Sequence, residues 1–123
     1  MAWTDPTNDV MLHGPQSSLG GLTAGGTIYT GCCVYLSADN AVSRTTANTQ
    51  YGIGVCMYDA SSGDYVAVHS IGCKVQGRLS GNCTIGAEVG AGPNGWWIAG
   101  GTYDTAIVMK AGNNAWGELL IHC

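Results

Sequence analysis

The stretch "GIGVCMYDASSGDYVAVHSIGCKVQG", residues 52–77, decides the fold. Together with the tyrosine before it, Ile53, Val55 and Met57 fall on every second position, so Tyr51, Ile53, Val55 and Met57 share one face of a strand. The next six residues, "DASSGD", are turn chemistry: short polar side chains that bond nearby backbone, and a glycine. "YVAVHSI" resumes as a second strand, apolar enough to be covered on both faces. Further on, Cys73, Val75 and Leu79 alternate with Lys74, Gln76 and Arg78, the pattern of a half-buried strand.

The same period extends in both directions. Upstream, "TIYTGCCVYL" puts Ile28, Cys32, Val34 and Leu36 on one face and Tyr29, Cys33 and Tyr35 on the other, with Asp39-Asn40 as a turn pair. Downstream, Cys83, Ile85, Ala87 and Val89 alternate with Asn82, Thr84, Gly86 and Glu88. "GAGPNG" turns the chain into "WWI", and "TAIVMKAGNNAWGELLIHC" repeats strand, turn, strand. No window of twelve residues shows a 3.6-residue period. The expected fold is all-β, a small β-barrel or β-sandwich of about eight or nine short, mostly antiparallel strands.

Two similar units are legible within it. Residues 31–42 align with residues 86–97 at an offset of 55: Gly31 falls on Gly86, Val34 on Val89, and each segment ends in a turn and an apolar residue. Residues 63–69 align with residues 117–123 at an offset of 54. Two units are too few for a solenoid, so they are expected to close a shared core.

Residues 1–22 follow neither period. They carry Pro6, Gly14, Pro15, Gly20 and Gly21 among isolated apolar residues, Trp3, Val10, Met11, Leu12, Leu19 and Leu22. They read as an extended N-terminal arm, with residues 23–123 as a single β domain. Apolar residues without a face of their own point to a neighbouring surface, so Trp3, Val10, Met11, Leu12 and Leu19 are candidate interface anchors. Trp96 and Trp97 join them: adjacent strand residues point to opposite sides, so one of the two can lie outside the core as a protein anchor or a sugar-stacking platform.

Composition narrows the function. The 123 residues include 20 glycines, no phenylalanine, 46% apolar residues and 10% charged ones, against about 25% in an average globular chain. Arg44, Lys74, Arg78 and Lys110 are the whole basic complement, they are scattered, and the net charge is −4. Phosphate neutralisation needs clustered cations, which argues against nucleic acid and against an anionic membrane surface. No apolar run reaches the roughly 20 residues of a membrane-spanning helix. The first sixteen residues lack the basic start and apolar core of a secretion signal, which leads to an expectation of cytosolic synthesis.

The chemistry-bearing residues form no recognisable constellation. His13, His69, His122 and the six cysteines lack paired zinc spacing, and neither metal nor cofactor is expected. Cys32, Cys33, Cys56, Cys73, Cys83 and Cys123 read first as small buried hydrophobes, with disulfides as the other reading. Asp39, Asp59, Asp64 and Glu118 stand at or beside turns. "GAGPNG" has glycine spacing of the dinucleotide-binding kind but leads into a strand instead of a helix. No catalytic residues are expected.

One resemblance joins these features. The succession "G-C-C-V-Y-L", "A-V", "G-I-G-V", "G-D-Y-V-A-V", "G-C-K-V-Q-G" and "I-G-A-E-V-G" is similar to that of the small capsid decoration, or cement, proteins of tailed bacteriophages. It spans residues 22 to about 98 and rests on glycines and strand residues such as Gly31, Val34, Gly63, Asp64, Val75 and Val89. The resemblance implies a compact β domain with an arm, a homotrimer, the major capsid protein as partner, a place on the capsid exterior and no catalysis. The competing expectation is a sugar-binding β-domain of a fibre or surface protein that uses Trp96 or Trp97 with Tyr103.

Overall fold

The computed structural model describes the backbone of residues 11–13 and 19–122, and side chains from residue 21 onward. Among the described residues the chain forms eleven strands: β1 (Met11–His13), β2 (Leu19–Ala24), β3 (Cys33–Ala38), β4 (Ala41–Arg44), β5 (Gly54–Cys56), β6 (Tyr65–His69), β7 (Lys74–Cys83), β8 (Glu88–Ala91), β9 (Trp97–Ala99), β10 (Asp104–Lys110) and β11 (Gly112–Ile121). A single 3-10 turn at Pro93–Gly95 precedes β9. The all-β expectation holds, and the two similar units are two closed five-stranded barrels.

The first barrel runs β2-β4-β3-β5-β6, closing where β6 meets β2. The second runs β7-β11-β10-β8-β9, closing where β9 meets β7. Each contains one parallel pairing, β2 with β4 and β7 with β9, and all the rest are antiparallel. The connectivity of β2 to β6 is therefore repeated in β7 to β11. Closure removes the unpaired edges that make open sheets sticky. The opening stretch, residues 52–77, carries the last two strands of the first barrel and the start of the second.

The same device starts a strand four times. Residues 29–32, 61–64, 70–73 and 84–87 each form a turn closed from the fourth N–H to the first carbonyl, at 3.0, 3.0, 3.2 and 3.1 Å. The third residue is Gly31, Gly63, Gly72 or Gly86, with φ of 84, 88, 88 and 82°. That left-handed conformation is cheap only for glycine. The glycine and its successor then oppose one residue of the facing strand; Gly31 N–H donates to the Cys56 carbonyl and Cys56 N–H to the Cys32 carbonyl. This is a glycine bulge, which sharpens the strand twist that barrel closure needs.

The sequence repeat maps onto the barrels. At an offset of 55, β3 falls on β8 and β4 on β9; Val34 and Val89 are both fully buried, as are Val42 and Trp97. Asn40 and Asn94, in the preceding turns, share left-handed φ values of 51 and 54°. The second alignment is one residue out of register. At an offset of 54, Val66 and Val68 fall on Leu120 and His122, yet the inward positions are Leu119 and Ile121. A one-residue slip exchanges the faces of a strand, and the shifted register between Val108 and Lys110 in the β10–β11 pairing marks such irregularity nearby.

Two cores result. One contains Leu22, Ile28, Cys32, Val34, Val42, Cys56, Val66 and Val68 inside the first barrel. The other contains Cys73, Val75, Leu79, Val89, Trp97, Ala106, Val108, Leu119 and Ile121, together with Cys33 and Val55 from the first barrel. Cys32 and Cys33, neighbours where the 29–32 turn leads into β3, each enter a different core. Gly52 lies at the joint: a Cβ there would stand 2.7 Å from Cys33 Sγ and 3.5 Å from Trp97 Cζ3. Gly95 N–H donates to the Thr45 carbonyl (2.8 Å) and Thr102 N–H to the Asn48 carbonyl (3.0 Å), tying the barrels together.

The start of the domain lies earlier than residue 23. Residues 19–22, assigned to the arm by sequence, belong to β2, where Leu19 pairs with Val68 and Leu22 with Val66. The register shifts between those pairs, and Gly21 has φ of 74°. That Gly20-Gly21 irregularity erases the two-residue period from the sequence. β1 is also paired, with Met11 opposite Val75 on β7.

Candidate functional site

Of the seven candidate anchors, Trp96 and Trp97 are those with described side chains. Trp3 and Val10 lie outside the described residues. Met11 and Leu12 belong to β1, and Leu19 to β2. Trp96 and Trp97 are 1% and 0% exposed, so neither is a surface anchor on this chain. They do point to opposite sides, but both sides are covered. Trp97 fills the second core, and the Arg78 guanidinium lies over the Trp96 ring at 4.1 Å. Arg78 faces Trp116 across the β7–β11 pairing, and Trp96 immediately precedes β9, which pairs with the other side of β7. Burial lowers the Arg78 pKa from its ordinary value.

The exposed apolar side chains are others: Leu36, Tyr51, Tyr58, Tyr65, Ile71, Ile85, Tyr103 and Met109. Leu36 shares a face with buried Val34 in the alternation, but the end of β3 from Leu36 onward is exposed. Ile85 had been expected inward with Cys83, but it is the second residue of the 84–87 turn and is 74% exposed. In the first barrel the corresponding turn residue is Thr30, whose N–H and hydroxyl both donate to Asp59 Oδ1 at 2.8 and 2.9 Å.

Tyr51 and Tyr103 form the most defined aromatic feature on the surface. Their ring centroids are 5.4 Å apart with planes at 53°. Each precedes the fourth strand of its unit, β5 or β10, so they hold equivalent places in the two repeats and meet where the barrels join. Tyr103 was singled out from sequence. Tyr51 was read as a strand-face residue, and no sequence signal linked two tyrosines 52 positions apart.

A shallow pocket of about 280 Å³ opens at one end of the first barrel, lined by Thr27, Ile28, Tyr29, Asp59, Ala60, Ser61 and Asp64. Both of its carboxylates are engaged in turns, Asp59 with Thr30 and Asp64 with Ser61 N–H at 2.9 Å. Among the described residues, no three His, Cys, Asp or Glu side chains stand close enough to hold a metal ion.

The five described cysteines stand outside any disulfide and are buried. Burial pushes the Cys32 thiol up to about 12, and it raises Cys33, Cys56 and Cys83 as well. Burial lowers the pKa of His69. These shifts define a pH window. The folded chain keeps its thiol protons where the unfolded chain, titrating near 9.0, loses them. That contribution to stability is complete below pH 9 and declines as pH rises toward 12. His69 resists protonation when folded, so its contribution is complete above its ordinary 6.5 and is lost as pH falls below it. Urea midpoints are expected to be highest between about pH 6.5 and 9 and to fall on both sides. A midpoint unchanged from pH 9 to 11 would contradict the thiol assignment.

No known protein-family model matches the chain. No curated protein matches it either. Among solved structures, the chain is similar to the head fiber gp8.5 N base of bacteriophage phi29, with a TM-score of 0.66 and 15% identity, over 85% of this chain and 92% of that one. At that identity the likeness is one of fold.

Proposed function

We propose that this chain is a structural protein of a bacteriophage head, seated on the capsid exterior as a decoration protein or as the base of a head appendage. The observation that carries the reading is the extent of the fold likeness: it covers 85% of this chain and 92% of the phage head-fibre base. The sequence resemblance to capsid cement proteins supports it independently, because it rests on glycines and strand residues of this chain. The partner in this reading is the major capsid protein, and the seated form is a homotrimer. Fused, closed barrels with two packed cores make a rigid block, which suits a protein that holds a position on a shell.

The chemistry of such a seat follows from composition. Four basic and eight acidic residues among 123 leave few ion pairs to make, and an exposed pair contributes only about 0–1 kcal/mol. An interface of standard size, about 1,600 Å², gains its energy from apolar anchors and backbone contacts. Purified chain added to heads of the encoding phage that lack it is expected to co-sediment, to remain bound through a wash at 1 M salt, where screening reaches about 3 Å, and to appear as trimers by cryo-electron microscopy. A chain that stays in the supernatant, or leaves the heads with salt alone, overturns the reading. Removing residues 1–10 tests the arm separately: undiminished binding would exclude Trp3 and Val10 as anchors.

A further inference from the structure

The ground around the tyrosine pair differs from the rest of the surface. Tyr51 is 45% and Tyr103 47% exposed. The loop before Tyr51 reads "TTANTQ" (residues 45–50), and the segment before Tyr103 reads "AGGT" (residues 99–102). No charged residue occurs from Thr45 to Gly54 or from Gly95 to Tyr103. Asn48, Thr49 and Thr102 are exposed. The exposed aliphatic side chains Leu36, Ile71 and Ile85 come from other segments.

These loops are held in place. Gln50 Oε1 accepts the N–H groups of Thr46 (2.7 Å) and Ala47 (3.2 Å), while Gln50 Nε2 donates to Thr46 Oγ1 (3.0 Å). The Gln50 side chain thus braces the loop from within and leaves Asn48 and Thr49 facing outward. Thr102 N–H donates to the Asn48 carbonyl and fixes one loop against the other.

We propose that Tyr51 and Tyr103, with Asn48, Thr49 and Thr102 around them, bind a neutral glycan. A pyranose presents a face of C–H groups that stacks on an aromatic ring and an edge of hydroxyls that needs amide and hydroxyl partners. The patch supplies both, on segments that carry no charged residue from Thr45 to Gly54 or from Gly95 to Tyr103. A protein hot spot is instead a central anchor desolvated by close-packed surroundings, and here the rings are surrounded by exposed polar residues. The braced loops reduce the ordering cost of binding. The inference is independent of the head-surface reading: it needs only the folded chain.

The test uses the purified chain and saturation-transfer NMR with neutral hexasaccharides of glucose, mannose, galactose and N-acetylglucosamine, and with oligogalacturonate as an acidic control. At least one neutral sugar is expected to receive saturation. It should shift the backbone amides of residues 48–51 and 100–103 in the unmodified protein. Tyr51→Ala and Tyr103→Ala are each expected to weaken binding roughly tenfold without lowering the melting temperature, whereas Tyr51→Phe keeps the stacking ring and most of the affinity. Saturation of none of the neutral sugars, of the acidic control alone, or with amide shifts confined to other residues, overturns the proposal. So does a pair of alanine variants that bind sugar normally. If no sugar binds and the alanine variants lose affinity for phage heads instead, the pair is a protein contact.

Discussion

Gly90→Ala is expected to lower the melting temperature by 10 °C or more, or to prevent folding. Gly90 lies on β8 opposite Asp104 of β10. Its φ is not left-handed, so alanine meets no torsional strain there. The obstacle is the neighbouring strand: a Cβ at Gly90 runs into the Tyr103 carbonyl oxygen and stands 2.9 Å from its carbonyl carbon. Crowding by a flexible side chain costs about 1–3 kcal/mol because the neighbour can move. Here the neighbour is backbone, and moving it opens the β8–β10 ladder inside a closed barrel. A loss of at least about 3 kcal/mol corresponds to roughly 10–15 °C for a chain of this size. Gly26→Ala is the control, since nothing lies within 4 Å of a Cβ at that position; it is expected to stay within about 0.5 kcal/mol of the parent. Thermal melts of the two variants side by side decide the matter. A Gly90→Ala protein that melts with Gly26→Ala would mean that β8 and β10 are not paired in this register.

Trp97→Ala is expected to cost about 3–5 kcal/mol, the range for removing a large buried aromatic side chain. A domain of this kind has about 5–15 kcal/mol in total, so the variant retains a fraction of its stability and shows a much lower urea midpoint. Trp97 is fully buried and touches both units: it packs in the second core and approaches Gly52 at the joint. The cavity would therefore loosen the seam between barrels as well as the core. Trp97→Phe is expected to cost less than alanine, because it keeps an aromatic ring and removes a buried indole N–H that has no hydrogen-bond partner. A loss below about 1 kcal/mol for Trp97→Ala would place the side chain at the surface and restore it as an interface anchor.

Local chemistry was legible wherever a residue's environment depends on its near neighbours in the chain. The buried, core-facing positions of Cys73, Val75, Leu79, Cys83 and Val89 follow from alternation alone. The turns at Asp39-Asn40 and residues 59–64 follow from side chains that favour turn backbone. The repeat was visible at β3 and β8 because its glycine, valine and turn kept their spacing. It slipped by one residue at β6 and β11, where a bulge changes the register without changing the kinds of residue. The same effect hid β2, whose Gly20-Gly21 irregularity separates Leu19 from Leu22 by an odd step. The tyrosine pair was out of reach, because nothing in either segment encodes a contact across 52 residues.

By itself, then, the sequence determined that the chain is all-β, that it contains two related units, where most strands begin and which residues share a side of each strand. Those properties depend on a period of two and on the few residues that tolerate left-handed turns, both of which are local. Only the tertiary structure decided what covers each side. Trp96 and Trp97, like Cys32 and Cys33, point in opposite directions, and alternation alone does not say whether both sides are covered. In the folded chain a second barrel, or the stacked Arg78, lies against the other side, and all four side chains are buried. Burial depends on which distant surfaces meet, and that is set by closure of the two barrels and their packing at Gly52, Cys33, Val55 and Trp97.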